Sequence, residues 1–292
     1  MHASTASKAV LVLALGLGGT VAAAATAQSS TTAESLRAEG IEQAEAGDYE
    51  RARELLRQAA AEGSARAKIH LGYLDEHGYG IDGPDGERAI DWYARGVEAG
   101  ADRHALKLAW DHLRGELVEP DREEAERWFR HAIDSGQAEA RVALASVIIA
   151  DIVGGDEARA DEARGQLEQA LEEGVELATY YLARMYREGL GIERDPERAR
   201  HYLERGARME GPQMRGQRGK MQAWLAEMDA EGAAADEPAP IAAAAWAYLA
   251  AANGYPRGEQ LVQRLTAPLE PAEVRQAQQR AWSRIQERPE QR

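Results

Sequence analysis

A pattern that recurs every 36 to 38 residues is the feature that most limits what this chain can fold into. It is centred on the alanines 52, 89, 125, 163 and 199, and Asp stands four residues before all of them except Ala163. Large apolar or aromatic side chains follow three and four positions after each Ala, except that Ala163 has only Leu167, and a small residue follows after seven. Those positions share one helical face, and Asp is a favoured N-cap. Gly stands eleven positions after the first four alanines, where it supplies a left-handed C-cap. Each copy therefore predicts one helix of about three turns.

A second periodic segment precedes each of these helices. Leu followed by a small residue recurs with the same spacing, at positions 71, 108, 144 and 182. Because a small residue lets two helices approach closely, each copy is predicted to be an antiparallel helix pair. In two of these pairs a Gly-x-Gly loop connects the first helix to the second, Gly78-Tyr-Gly80 in one and Gly189-Leu-Gly191 in the other. A single pair cannot bury its own apolar stripe, so the predicted fold class is all-α, an α-solenoid of stacked helix pairs.

Four short motifs within residues 65–93 connect this chain with a known family. They are Ala65-Arg-Ala-Lys-Ile-His-Leu-Gly72, Gly78-Tyr-Gly80, Glu87-Arg-Ala89 and Asp91-Trp-Tyr93, and residues 182–202 carry a second copy. This region resembles the Sel1-like repeat family, a relative of the tetratricopeptide repeats, and specifically a bacterial exported member. The resemblance implies a right-handed superhelix in which the first helix of each pair lines the concave surface.

The N-terminal residues predict export. Lys8 precedes an apolar run over 9–18, and Ala25-Thr-Ala27 fits a small-x-small cleavage site. The run is too short for a membrane span of about 20 residues. We therefore expect a signal peptide over 1–27, cleavage near Ala27, a periplasmic location and no stable membrane insertion afterwards.

The remainder divides by the repeat spacing. We expect a flexible N-terminus over 28–32, a solenoid over 33–287 and a tail over 288–292. Within the solenoid the predicted repeats are about 33–64, 65–101, 102–137, 138–175 and 176–212. A degenerate unit over 213–255 and C-terminal capping helices over 256–287 complete it.

Composition excludes several classes of function. The chain has 50 acidic and 35 basic residues and a formal net charge of −15, which repels nucleic acid phosphates. It has no Cys, which excludes a disulfide scaffold, thiolate metal ligands and thiol catalysis. The acidic residues 75, 82, 85 and 87 lack the spacing of a calcium loop and are interpreted as N-caps and turn residues. The histidines lack a metalloprotease motif, and no serine-hydrolase or phosphate-loop motif occurs. We expect no metal, no cofactor and no catalytic residues.

One stripe of residues is a candidate binding surface. Positions 66, 70, 73 and 77 lie opposite the apolar stripe of their helix, and the same positions can be followed through later copies. The candidate residues are Arg66, His70, Tyr73, His77, Arg103, Lys107, Trp110, Arg114, Tyr181 and Arg184; the intervening copy is Glu139, Ala143, Ser146 and Ala150. Basic and aromatic side chains dominate this stripe, and Trp, Tyr and Arg are the residue types that dominate interface energetics. Two interpretations stay open: ordinary surface variation, with Trp110 and Tyr181 covering the core, or a groove for an acidic or anionic partner.

These observations favour a non-catalytic interaction scaffold that binds a protein partner, with an acidic segment, on the concave face. The resemblance agrees, since bacterial members include regulators of sensor kinases and assembly factors of envelope machines. The alternative is an envelope or exopolysaccharide-export factor that contacts anionic polysaccharide. A hydrolase is the weaker alternative.

Overall fold

The computed structural model describes residues 30–209, 214–233 and 238–286, and these residues form helices and connecting turns. The expected signal peptide over 1–27 and the expected tail over 288–292 lie outside the described residues. The helices are α1 (30–45), α2 (Tyr49–Ala61), α3 (Ala65–His77), α4 (Gly86–Glu98), α5 (Ala105–Arg114), α6 (Arg122–Asp134), α7 (Glu139–Val153), α8 (Ala160–Glu172), α9 (Ala178–Glu188), α10 (Pro196–Arg208), α11 (Arg215–Glu231), α12 (Pro240–Ala252), α13 (Gly258–Thr266) and α14 (Pro271–Gln286). A 3₁₀ turn, Asp102–His104, precedes α5.

The helices form two compact units. Unit 1 lies within Met1–Gln137 and contains α1 to α6, and unit 2 lies within Ala138–Arg292 and contains α7 to α14. Most helices of each unit pack against the next one along the chain, which gives the stacked helix pairs of an α-solenoid, and α13 and α14 both pack against α12. The predicted fold class is confirmed. The two segments that depart most from the repeat pattern, 138–175 and 213–255, also form helix pairs, α7 with α8 and α11 with α12.

The repeated Asp and Gly residues set where the second helices begin and end. The side chains of Asp48, Asp85, Asp121 and Asp195 each accept a hydrogen bond from a backbone N–H three residues later, at 2.9–3.1 Å. In the copy centred on Ala163, the N-cap residue of α8 is Arg159, and an arginine side chain carries no atom that can accept a hydrogen bond from the backbone. Gly63, Gly100, Gly136 and Gly174 have φ between +85° and +101°, which is the left-handed conformation predicted for the helix ends.

Close helix approach explains the small residues of the pattern. A Cβ built on Gly72 of α3 would lie 2.7 Å from the Tyr93 ring of α4. The Ala residues at the equivalent positions 109, 145 and 183 are fully buried, as are the leucines that precede them. The Leu–small pairs therefore mark the contact line between the two helices of each pair.

The two equivalent tryptophans of unit 1 differ in burial. Trp128 of α6 is only 2% exposed and adjoins the fully buried Phe129. Trp92 of α4 is half-buried and packs on the apolar cluster that α2 and α3 form around Leu56 and Leu71.

Asp75 corrects the interpretation of the acidic loop. It is completely buried on α3, so it is neither an N-cap nor a turn residue. Its carboxylate accepts hydrogen bonds from Arg53 at 2.6 Å and from Arg88 at 3.0 Å. Arg53 is itself 2% exposed and also donates to the carbonyl of Tyr79 at 3.2 Å. The group therefore joins α2, α3 and α4 through a buried ion pair.

Candidate partner-binding face

Unit 1 brings together eight of the ten residues of the predicted stripe, on α3, on α5 and on the 3₁₀ turn before α5. The other two, Tyr181 and Arg184, lie on α9 of unit 2. Five residues are exposed, namely Arg66, Tyr73, His77, Arg103 and Arg114, and the other five are half-buried. Ala143 of the intervening copy is buried, so the stripe does not continue over α7 as an exposed face.

Three of the five cations on the stripe already have carboxylate partners. Lys107 Nζ lies 2.8 Å from Asp111 and 3.3 Å from Glu76. Arg114 lies 3.3 Å from Glu116, and Arg184 lies 3.0 Å from Glu188. The excess of basic residues in the sequence therefore overstates the positive charge that this surface offers to a partner.

Arg66 and Arg103 are different, because neither makes an ion pair with another described residue. Both line an open cavity of about 690 Å³ at the N-terminal ends of α3 and α5. The same cavity is lined by the α3 N-cap Ser64, by Gly100 and by the carboxylates of Glu34, Glu62 and Asp102. The Arg37 guanidinium hydrogen-bonds Glu34 and holds the pKa of that carboxyl below its usual value. The nearby charge of Arg66 lowers the pKa of Glu34 further. Neither Arg66 nor Arg103 forms an ion pair with a described residue, and this leaves both guanidinium groups able to bind an anionic group.

The aromatic residues of the stripe also pack on the core. The Trp110 ring meets the buried Phe129 edge-on, at 5.1 Å between centroids, and the Arg114 guanidinium lies 4.7 Å above Trp110. Tyr181 lies 5.1 Å from the Tyr180 ring, and burial raises the pKa of Tyr181 above its ordinary value. Trp110 and Tyr181 therefore cover neighbouring core, as the first of the two open interpretations described.

Burial also affects two histidines of unit 1, His70 of the stripe and His104, which follows the stripe residue Arg103. Burial, and secondarily the nearby Arg37, lowers the pKa of His70 below its ordinary value. Burial lowers the pKa of His104 in the same way. The fold therefore favours the neutral form of both imidazoles.

Helix α1 contributes residues that the stripe did not include. Ile41 follows the buried Gly40 as Tyr73 follows Gly72 and Trp110 follows Ala109. A Cβ built on Gly40 would lie 2.9 Å from the Leu56 side chain, which is the same close approach as at Gly72. That small residue is the sequence signal that extends the face to α1.

A group of stacked rings lies at the C-terminal end of α3. The Tyr49 and Tyr79 rings stack at 4.6 Å with 8° between their planes, and His77 stacks on Tyr79 at 5.5 Å and 15°. Tyr73 lies 4.1 Å from the His77 ring, tilted by 33°. Tyr73 and His77 belong to the predicted stripe. Tyr49 of α2 and Tyr79 of the loop after α3 do not belong to it.

The family model of the Sel1 repeat matches this chain four times, over residues 36–64, 65–100, 105–137 and 177–210. The chain belongs to the Sel1 repeat family. The unmatched segment between the third and fourth Sel1 repeats contains α7 and α8, which pair without the Gly-x-Gly loop of the motif. Sel1 repeat proteins generally mediate protein–protein interactions.

Two solved Sel1 structures are similar to this chain. One is a protective antigen present in uropathogenic Escherichia coli strains, with 24% identity, a TM-score of 0.62 and coverage of 82% of this chain. This chain spans about half the length of that protein, 49%. At 24% identity the similarity shows a shared fold alone. The other is a Sel1 repeat protein from Oxalobacter formigenes, with 25% identity, a TM-score of 0.59, and coverage of 85% of this chain and 99% of that one. No curated protein matches this chain.

Two further observations concern membrane-spanning helices and metal-binding groups in the described residues. None of the helices over 30–209, 214–233 and 238–286 is long and apolar enough to cross a membrane. In the same residues, no group of three or more His, Asp or Glu side chains is placed to hold a metal ion.

Proposed function

We propose that this chain is a non-catalytic scaffold that binds a partner protein on the face of unit 1 formed by α1, α3 and α5. The observation that carries the proposal is the pair Arg66 and Arg103, which line one cavity without an ion-pair partner in the described part of the chain. Exposed Tyr73 of α3 and half-buried Trp110 of α5 lie on the same face and add aromatic contact area. An acidic segment of the partner is the group that two free guanidinium groups would select.

The test is a crosslinking pull-down from an envelope extract of the source cells, with the wild-type chain and three charge-reversal variants. Arg66→Glu and Arg103→Glu each replace an attractive charge by a repulsive one, so we expect both to lose most of the captured partner. Arg57→Glu is the matched control, because Arg57 is exposed on the second helix α2 and makes no ion pair with a described residue. Equal capture by all four proteins would place the partner on another surface.

Anionic polysaccharide is the second candidate partner, and the same observation favours it. The carboxylates of uronate sugars would bind Arg66 and Arg103 by the same hydrogen-bonded ion pairs as the Asp or Glu side chains of a protein partner. Calorimetric titration with a polyuronate separates the two candidates. If the wild-type chain gives a saturable binding heat that Arg66→Glu lacks, the result supports polysaccharide binding. If the wild-type chain gives no heat but captures a protein in the pull-down, the result supports the scaffold.

We also propose that the chain acts after export, in the bacterial periplasm. The support comes from residues 1–27, which combine Lys8, an apolar run and the Ala25-Thr-Ala27 cleavage pattern. An extract of the cell envelope is therefore the source chosen for the pull-down.

A further inference from the structure

A cleft beside the stacked rings differs in chemistry from the arginine cavity. We call it the ring cleft; it has a volume of about 310 Å³. Its walls come from three helices and one loop, and they are Ile41, Ala44 and Glu45 of α1, Tyr49 and Leu56 of α2, His70, Tyr73 and Leu74 of α3, and Tyr79. A volume of this size admits one side chain rather than a helix or a strand.

Three of the walls are tyrosine rings whose arrangement is fixed by their own contacts. Tyr49 and Tyr79 stack in parallel at 4.6 Å, and Tyr73 is tilted by 47° from Tyr79 at 6.2 Å. Tyr73 is 48% exposed, which is unusual for a large ring beside an apolar cleft. Tyr79 is stacked by Tyr49 and by His77, so the faces of Tyr49 and Tyr73 that these stacks leave uncovered are the electron-rich surfaces that attract a cation within about 6 Å of a ring centroid.

The charge at the rim has the sign that a cation requires. Glu45 is the last residue of α1, where the carbonyl end of the helix adds partial negative charge. Its carboxylate is exposed and makes no ion pair with a described residue. Three further exposed carboxylates, Glu42, Asp48 and Glu50, lie within five residues of it along the chain.

Four basic side chains lie near the ring cleft, and one of them, His77, stacks on Tyr79 and contacts the Tyr73 ring. The other three do not oppose the charge at the rim. Arg53 lies between the wall residues Tyr49 and Leu56 along α2, and it donates hydrogen bonds to Asp75 and to the carbonyl of Tyr79. Arg37 is held by Glu34. Burial lowers the pKa of His70, a wall of the cleft, and so disfavours its protonated form.

We infer that the ring cleft binds a cationic side chain, a lysine or an arginine, of the partner protein, with the charge between the tyrosine rings and Glu45. The aliphatic stem of such a side chain would contact Ile41 and Leu74, and its charged end would stay near solvent at the rim. This inference rests on the proposed function, since it assumes that a protein partner lies on this face of unit 1. It adds a second recognition element, opposite in charge to the one at Arg66 and Arg103.

The experiment uses the full chain labelled with ¹³C at its isoleucine methyl groups, and Ile41 reports on the cleft. The probes are the N-acetyl methylamides of lysine, of arginine and of norleucine, which has an aliphatic stem without the charge. We expect the lysine and arginine probes to shift the Ile41 methyl signal in a saturable way. The norleucine probe should bind about fivefold more weakly, as the loss of one exposed cation–π contact predicts.

Two variants and one matched control locate the charge. Glu45→Gln should weaken lysine binding by about two- to fivefold, the range for an exposed ion pair. Tyr73→Ala should weaken it by about fivefold, and the exposure of that ring keeps the fold intact. Glu39→Gln removes an equal charge from α1 at an exposed position that does not line the cleft, and it should leave binding unchanged.

The outcomes separate this inference from the proposed function. Equal binding of norleucine and lysine, or no shift of Ile41 with any probe, overturns the inference. If that happens while Arg66→Glu still abolishes partner capture, the proposed function stands alone. If the lysine probe binds as expected while capture is insensitive to Arg66 and Arg103, the cleft is a binding site and the arginine cavity is not.

Discussion

The buried carboxylate of Asp75 gives the sharpest prediction about stability. Asp75→Ala removes the partner of Arg53, which is only 2% exposed and cannot turn its guanidinium to water. Removing one member of a buried pair costs about 3–5 kcal/mol, because the other charge is left uncompensated. Arg88 adds little, since its side chain is 44% exposed and its charge is solvated in either case. We therefore expect Asp75→Ala to lower the free energy of unfolding of unit 1 by about 3 kcal/mol.

Native-state hydrogen exchange is the suitable assay, because two units need not unfold together and a single transition would mix them. The free energies of opening should fall in α2, α3 and α4, the helices that the ion pair joins, before they fall elsewhere.

Two variants calibrate the Asp75 result. Asp91→Ala removes an exposed partner of Arg95, at 3.0 Å, and should cost less than about 0.5 kcal/mol. The double variant Arg53→Met with Asp75→Leu replaces both charges by apolar side chains, and it should recover most of the loss. A loss below about 1 kcal/mol in Asp75→Ala would refute the reasoning, since Arg53 would then have found water or another partner.

Three further predictions follow from burial and from the N-terminal sequence. Trp128→Ala should lower the free energy of unfolding by about 3–5 kcal/mol in a denaturant titration, because the ring is almost wholly buried, and exchange should increase first in the neighbouring helices. Burial lowers the pKa of His70, so the unfolded chain binds more protons as the pH falls below about 6.5 and the folded state loses stability there. His70→Gln should therefore show a smaller loss of stability than the wild type between about pH 7 and pH 5, measured with Arg37, Glu34, Arg103 and His104 unchanged around it. Mass spectrometry of the exported protein should find Gln28 at its N-terminus, and an intact Met1 form in the soluble cytoplasm would contradict export.

The fold was predictable because its determinants repeat. An N-cap at Asp85, a left-handed Gly100 and a small residue at Gly72 each act over one turn or one helix contact, and each recurs in other copies. Even so, α11 and α12 pair without the motif, because an Ala-rich helix buries its faces without needing a specific residue at each position.

The site was less predictable because charge depends on pairing in space. Lys107 stands four residues before Asp111, a helical spacing that already predicts their ion pair at 2.8 Å, but its second partner, Glu76 at 3.3 Å, comes from the preceding first helix. Asp75 reads as a loop carboxylate, yet its partners lie 22 and 13 residues away in the sequence. No spacing rule of a single helix reports such contacts between helices.

The two recognition elements of unit 1 lie at opposite ends of the same helices, and this separation has a measurable consequence. Arg66 begins the exposed line along α3 and His77 ends it, a rise of about 16 Å at 1.5 Å per residue. The cations lie at the helix N-termini and Glu45 at a C-terminus, so side-chain charge and helix dipole have the same sign at each end. A partner segment that satisfies both ends must carry its acidic group and its basic side chain in one order along the face. Because sites more than about 10 Å apart couple weakly, the losses of partner affinity in Arg66→Glu and Glu45→Gln should add to within about 0.5 kcal/mol in the double variant. A double variant no weaker than Arg66→Glu alone would mean that the partner contacts only the arginine end, and the acidic segment would then account for recognition by itself.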